Sequence, residues 1–299
     1  MDKNIFQSIV DSTPEKLDFL IASPPCQGMS VAGKNRSLKQ MLDDERNFLV
    51  FKIIDFIRIK DPDFILIENV PTFFKIELPF QGKMLKIIDI LKLLYGNEYI
   101  ITPHIFDVSE YGVAQKRLRA IIKMHKNGTV WGEPDKLPTI TVRDAIGHLP
   151  SLEAGESSDI KWHFARKHSP KHIEWMHHTP TGKSAVDNPV HYPQKADGTR
   201  INSYNTTYRR IKWDEPAPTI TIRNDAISSQ LNVHPGRLQP DGTYSDSRVL
   251  TPLELMLLSS LPADWNIPDD TSELLIRQCI GECIPPMLIK QIVSKINQE

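Results

Sequence analysis

Leu17-Asp18-Phe19-Leu20-Ile21-Ala22-Ser23-Pro24-Pro25-Cys26-Gln27-Gly28-Met29-Ser30 joins an apolar run to a rigid turn and then to a cysteine. Leu17 to Ala22 reads as a buried strand, and Ser23-Pro24-Pro25 ends it. A cysteine just past the carboxyl end of a parallel strand stands where open α/β sheets build their sites. The two prolines stiffen the approach, while Gly28 and Gly33 permit a mobile loop beyond it. Such a mount suits a nucleophile whose thiolate must be aimed. A lone cysteine after a strand is more often a small buried hydrophobe, so Pro24-Pro25-Cys26-Gln27 has to be weighed with what surrounds it.

Working outward, short apolar runs alternate with amphipathic stretches, which predicts an α/β sheet of parallel strands. Phe48 to Ile59 has helical spacing, Asp63 to Glu68 reads as a strand, and Lys83 to Tyr95 as a helix. Tyr99 to Phe106 and Leu118 to Met124 read as further strands. Beyond Met124 periodicity weakens, and the chain to about Ser247 is expected to be loop-rich with short strands. Within it, Pro138-Thr139-Ile140-Thr141-Val142-Arg143 echoes Pro218-Thr219-Ile220-Thr221-Ile222-Arg223, read as a coincidence between two β-prone segments. Thr251 to Ser260 returns to helix, with Thr251 as cap and Pro252 in the first turn. Pro286 to Ile296 closes the chain as another helix.

Composition excludes several classes. With 40% hydrophobic and 24% charged residues, the chain is ordinary for a globular protein. No stretch approaches the roughly 20 apolar residues that span a bilayer, and the mixed N-terminus does not read as a secretory signal. Three cysteines without paired spacing argue against a disulfide framework and predict a cytoplasmic setting. The net charge of -1 hides a gradient. Lys161 to Lys212 holds ten Lys and Arg against three acids, with six of the ten histidines. Such a segment can contact phosphates, and a solvated basic surface accounts for it equally well.

Two later segments bear on Cys26. Glu68-Asn69-Val70 ends the second strand, where a carboxyl can face the same crevice and hold a proton; a strand-end surface glutamate is the bland reading. Gln115-Lys116-Arg117-Leu118-Arg119 enters another strand, and alternation puts Arg117 and Arg119 on one face, aimed at one anion or carbonyl. An exposed strand face gives the same pattern. In this order and spacing, PPCQ, ENV and QxRxR resemble the cytosine-C5 DNA methyltransferase family. Arg248-Val249-Leu250-Thr251-Pro252-Leu253-Glu254 resembles its RxLTxxE segment. Gln278-Cys279-Ile280-Gly281-Glu282-Cys283-Ile284-Pro285-Pro286 resembles its closing GNxxPP segment.

The resemblance implies methyl transfer from S-adenosylmethionine to C5 of a cytosine flipped out of double-stranded DNA. Cys26 would attack C6, Glu68 would hold or protonate N3, and Arg119 would hold the base carbonyl with Arg117 in support. Pro24, Asn69, Gly281, Glu282 and Cys283 would line the cofactor. Gln27, Ser30 and Lys34 would meet DNA from a closing loop, and Arg200, Arg209 and Arg210 from a target-recognition region. The implied division is a catalytic domain at 1–135 and 272–299 and a smaller, irregular, β-rich recognition domain at 136–271. Many bacterial relatives have a cognate restriction endonuclease, which makes one an expected partner.

Three departures qualify the resemblance. The family's FxGxG loop precedes its PPCQ strand, yet no G-x-G lies before Cys26. The residues ahead of Leu17 are too few for strands and helices at roughly 30 residues per strand–helix–strand unit. The Rossmann-like sheet is therefore expected to lack its N-terminal strands and its cofactor site to be incomplete. The chain is then expected to be a split subunit with a complementing N-terminal partner, or a truncated form. Glu282 stands where the family has asparagine, and Cys283 replaces a small residue. Other readings stay open: a non-catalytic DNA-binding subunit, or an RNA cytosine-C5 methyltransferase. A zinc site at Cys279 and Cys283, on a stretch read as a turn, is set aside for want of tighter Cys/His pairing.

Overall fold

The computed structural model describes residues 3–25 and 45–297. The chain divides into two compact units, one of 1–107, 118–133 and 295–299, the other of 108–117 and 134–294.

The first unit carries the sheet. Helix α1 (Lys3–Ser12) precedes strand β1 (Phe19–Ala22), and helix α2 (Leu49–Lys60) leads to strand β2 (Phe64–Asn69). Every β2 residue is buried, as expected of an apolar run in the middle of a sheet covered on both faces. A hairpin of β3 (Glu77–Phe80) and β4 (Lys83–Lys86) follows, then helix α3 (Ile87–Tyr95) and strands β5 (Tyr99–Asp107) and β6 (Leu118–Lys126). The helix expected over Lys83 to Tyr95 thus gives up its first four residues to β4. Gln81 and Gly82 both take positive φ (48° and 76°), the mirror-image turn that matches strand twist and closes a two-residue hairpin.

Among the described residues the main sheet runs in the order β1-β2-β6-β5. Only β1 and β2 are parallel; β6 is antiparallel to β2 and to β5. The expectation of a parallel sheet is corrected here by connection length. Helix α2 supplies the crossover that parallel neighbours need, whereas the short link from β5 to β6 contains no such helix and only reverses the chain. Val50, Ile54 and Ile57 of α2, Ile65 and Ile67 of β2, and Ile87, Ile90 and Leu91 of α3 form the core. Tyr95 ties α3 to α2 by donating to the Ile54 carbonyl at 2.7 Å.

The second unit is loop-rich. It contains α4 (Val142–Ile146), α5 (Pro170–His177), α6 (Pro252–Leu258), α7 (Glu273–Glu282) and α8 (Pro286–Val293). Neither echoing segment is a strand. Thr141 instead opens α4, accepting from the Asp144 N–H while Asp144 returns the bond, so a capping box overrides local β preference. Thr251 and Glu254 make the same box at α6, with Pro252 in the first turn, as expected. The stretch taken as a turn around Cys279 is the end of α7, capped at its start by Ser272; Cys283 is its C-cap. Val142, Ile146, Trp213, Leu253, Met256 and Ile280 belong to one core cluster.

This unit also holds a buried ionic lattice that explains the RxLTxxE segment. Arg248 reaches Glu254 through both terminal nitrogens, at 2.8 and 2.9 Å, and Asp246 at 2.9 Å. Glu254 in turn accepts from the Thr251 N–H. Burial alone would raise the Glu254 carboxyl, yet Arg248 beside it holds it well below the usual carboxylate range.

Candidate active site

Strand register assembles the site. Ala22 lies opposite Ile67 in the parallel pair, so continuing the register by one residue brings Ser23 to Glu68, and by two brings Pro24 to Asn69. The bonds follow that register: Ser23 Oγ donates to Glu68 Oε2 at 2.6 Å, and Asn69 Nδ2 donates to the Pro24 carbonyl at 3.0 Å. On the other side, Glu68 faces Ile121 of antiparallel β6, which makes Arg119 its diagonal neighbour on the same face. Arg119 Nε lies 2.7 Å from Glu68 Oε1, and Arg119 Nη1 donates to the Leu118 carbonyl at 2.9 Å. Glu68 is 5% exposed and Arg119 8%. Among the described residues, Ser23 engages one carboxylate oxygen and Arg119 the other. Ser23, Pro24, Glu68, Asn69 and Arg119 thus gather at the carboxyl ends of β1 and β2. Ser23 is a member that sequence reading left unassigned; its place two residues before the proline pair's end gave it only a turn-forming role.

Arg117 does not share this face. It precedes β6 and belongs to the second unit, where Nη1 donates to the Ile220 carbonyl at 2.6 Å and Nη2 to the Gly281 carbonyl at 2.9 Å. Gln115 works beside it, donating to Ser259 Oγ and accepting from the Ile220 N–H. The QxRxR motif is therefore divided: its Gln and first Arg fasten the 217–221 segment and α7, and its second Arg serves Glu68. The expectation that both guanidiniums meet one anion is corrected, because alternation applies only within a continuous strand and β6 begins at Leu118.

Gly281 packs so tightly that an added Cβ would lie 2.5 Å from the Thr221 carbonyl oxygen, which accounts for glycine there in terms of packing alone. Glu282 is exposed and Cys283 half-buried. Beside Pro24 an apolar cleft of about 300 Å³ is lined by Phe6, Leu20, Ala22, Leu49, Ile53 and Phe56, among others. Cys26, Gln27, Ser30 and Lys34 lie outside the described residues.

Of the arginines expected to meet DNA, Arg200 is exposed. Its guanidinium stacks 3.7 Å from the centroid of the Tyr192 ring and donates to the Val186 and Asn188 carbonyls. Arg209 is half-buried, donating to the Asn205 and Gly182 carbonyls. Arg210 is fully buried, with its guanidinium donating to the Met176, His234 and Asp246 carbonyls and to Ser247 Oγ. It braces the second unit and presents no cation to a phosphate, which corrects the expectation for that residue. A charge count cannot separate a buried arginine that saturates carbonyls from one that faces water.

Among the described residues no helix is long and apolar enough to cross a membrane. Residues 2–298 match the C-5 cytosine-specific DNA methylase family. Type II methyltransferase M1.HgaI of Avibacterium volantium is 56% identical over 299 residues, covering 100% of this chain and 84% of that protein. Type II methyltransferase M.MthTI of Methanothermobacter thermautotrophicus is 34% identical over 302 residues, covering 96% and 80% respectively. In fold, the chain is similar to the solved methyltransferase EhMeth of Entamoeba histolytica, with a TM-score of 0.59 at 16% identity over 93% of this chain and 76% of that one.

Proposed function

Because the chain belongs to the C-5 cytosine-specific DNA methylase family, we propose that it methylates C5 of a cytosine swung out of double-stranded DNA, with S-adenosylmethionine as the methyl source. The relatives' designation as Type II methyltransferases supports a role as the modification partner of a restriction endonuclease. The observation that carries the reading is the Glu68 carboxylate at the end of β2, held between Arg119 and Ser23, which follows β1 on the way to Cys26.

In this reading the Cys26 thiolate attacks C6 of the flipped base, forming an S–C6 bond and driving the ring electron pair toward C5. Glu68 holds or protonates N3 and so offsets the charge that develops in the ring. Arg119 holds the carboxylate through Nε and is assigned to the base carbonyl. Ser23 holds the other carboxylate oxygen, which limits rotation of the group. Once C5 is methylated, its proton leaves to a base and the returning electron pair expels Cys26, restoring the ring. Bound S-adenosylmethionine supplies the electrophilic methyl. Pro24 and Asn69 would hold it at the strand ends. The apolar walls beside Pro24 fit a flat purine, and about 300 Å³ falls at the lower end of small-molecule sites. Gly281, Glu282 and Cys283 are assigned to the cofactor on family position alone. Arg200 and Arg209 are assigned to DNA phosphates, and Gln27, Ser30 and Lys34 to the closing loop.

The test is methyl transfer from labelled S-adenosylmethionine to mixed-sequence duplex DNA, with Cys26→Ser alongside. Label at cytosine C5 that disappears in the variant is expected. Label that persists in Cys26→Ser, or that enters RNA in preference to DNA, overturns the assignment.

A further inference from the structure

Six of the chain's ten histidines lie between Lys161 and Lys212, and the methyl-transfer chemistry uses none of them. Two converge on one carboxylate. Glu174 stands on α5 and His178 caps that helix, four residues later on the same face. His191 returns to the same spot from the loop that follows. His178 Nε2 lies 3.2 Å and His191 Nδ1 3.3 Å from the same oxygen, Glu174 Oε1. All three donor atoms lie within 4.8 Å of one another.

We propose that Glu174, His178 and His191 form a divalent transition-metal site of the zinc class. Zinc bonds to imidazole nitrogen and carboxylate oxygen of about 2.0–2.2 Å at tetrahedral angles place neighbouring donors roughly 3.3 Å apart. The two measured separations already have that length. Two imidazoles and a carboxylate suit zinc, nickel or copper, whereas magnesium and calcium prefer all-oxygen shells. The site is also held by its surroundings. Asn188 Nδ2 donates to the His178 carbonyl, and Asn188 Oδ1 accepts from the His191 N–H, so one side chain fixes the backbone of both histidines. The rings stack with centroids 3.6 Å apart and planes 18° from parallel; since each imidazole lone pair lies in its ring plane, metal binding turns one ring out of the stack so that both lone pairs point at the ion. All three side chains keep partial solvent access, at 31% to 56%, which leaves a fourth coordination position for water. A metal here would fasten the end of α5 to the 188–200 segment, whose carbonyl at Asn188 already anchors Arg200.

Without metal, the same distances describe two imidazole N–H groups donating to one carboxylate oxygen. The full-length chain without an affinity tag, stripped with chelator, separates the cases when titrated with cobalt(II) and zinc(II). Expected is saturation at one equivalent, with the visible spectrum of a tetrahedral cobalt centre and no thiolate-to-cobalt band, which excludes the cysteines. His191→Ala should weaken binding by more than the roughly 10–100-fold that loss of an outer-shell partner costs. Glu174→Gln should do likewise, and the thermal melts of both variants in chelator should match the stripped parent. Absence of saturable binding, or binding unchanged in folded His191→Ala, overturns the site.

Discussion

Arg119→Met isolates the contribution of the guanidinium beside Glu68. The substitution keeps most of the side-chain volume and leaves the Glu68 carboxylate, 5% exposed, with Ser23 as its bonding partner. Breaking a buried ion pair by removing one member costs about 3–5 kcal/mol, because the remaining charge is neither hydrated nor neutralised. Against a total stability of about 5–15 kcal/mol that is a large fraction. At a urea m-value of about 3 kcal/mol/M it lowers the unfolding midpoint by about 1–2 M. Adding Glu68→Gln removes the stranded charge while keeping an acceptor for Ser23. The double variant should therefore recover most of the loss, with a coupling energy near the upper end of the roughly 0.5–3 kcal/mol seen between contacting residues. Methyl transfer should be lost in the double variant as in the single ones, since stability returns without the carboxylate. The assay is urea unfolding of the four proteins, run with methyl transfer on the same preparations. A double variant no more stable than the sum of its single losses would refute the pairing.

Four further variants test other parts of the molecule. Ser23→Ala removes a charge-assisted hydrogen bond worth about 1.5–3 kcal/mol when well formed; because Ser23 is exposed, the low end applies. The unfolding midpoint should fall by about 0.5 M at the same m-value and turnover about tenfold, and unaltered turnover would remove Ser23 from the site. Burial pushes the His234 imidazole down to about 3, so it stays neutral in the folded chain while the unfolded chain takes up a proton below about pH 6.5. Its folded form is thus disfavoured as pH falls, by about 2 kcal/mol at pH 5. His234→Gln should flatten the midpoint-against-pH curve between pH 7 and 5, and an unchanged slope would count against it. Arg200→Ala should weaken DNA binding and reduce its salt slope by about one contact while leaving the melt alone. Arg210→Ala should instead lower the melt, because its carbonyl acceptors lose their donor; equal melts for the two variants would contradict the assigned burial.

The residues proposed to carry the chemistry were legible in the sequence because they lie in short motifs tied to strand ends. Glu68 and Arg119 stand where PPCQ, ENV and QxRxR put them, and the runs that became β1, β2, β5 and β6 declared themselves by apolar content. The Thr251 cap was legible for a similar reason, since a capping box is a relation among neighbours three residues apart. What sequence could not supply was the identity of distant partners. Parallel alternation suggested a parallel sheet, but the direction of β6 depends on how the chain returns from β5.

The same division holds for individual side chains. Composition established that the 161–212 stretch is rich in arginine and histidine; only packing decided that Arg200 faces solvent while Arg210 spends its donors on carbonyls and the Ser247 hydroxyl inside. The motif named Arg117 and Arg119 together, and the strand boundary between them sent one to Gly281 and the other to Glu68. Glu174 and His178 are neighbours along a helix and visible as such, yet His191 joins them only because Asn188 turns the chain back. Local spacing determines which side chains share a face of one element. Which of them meet across elements depends on register and chain reversal, and these are fixed only when the whole core packs.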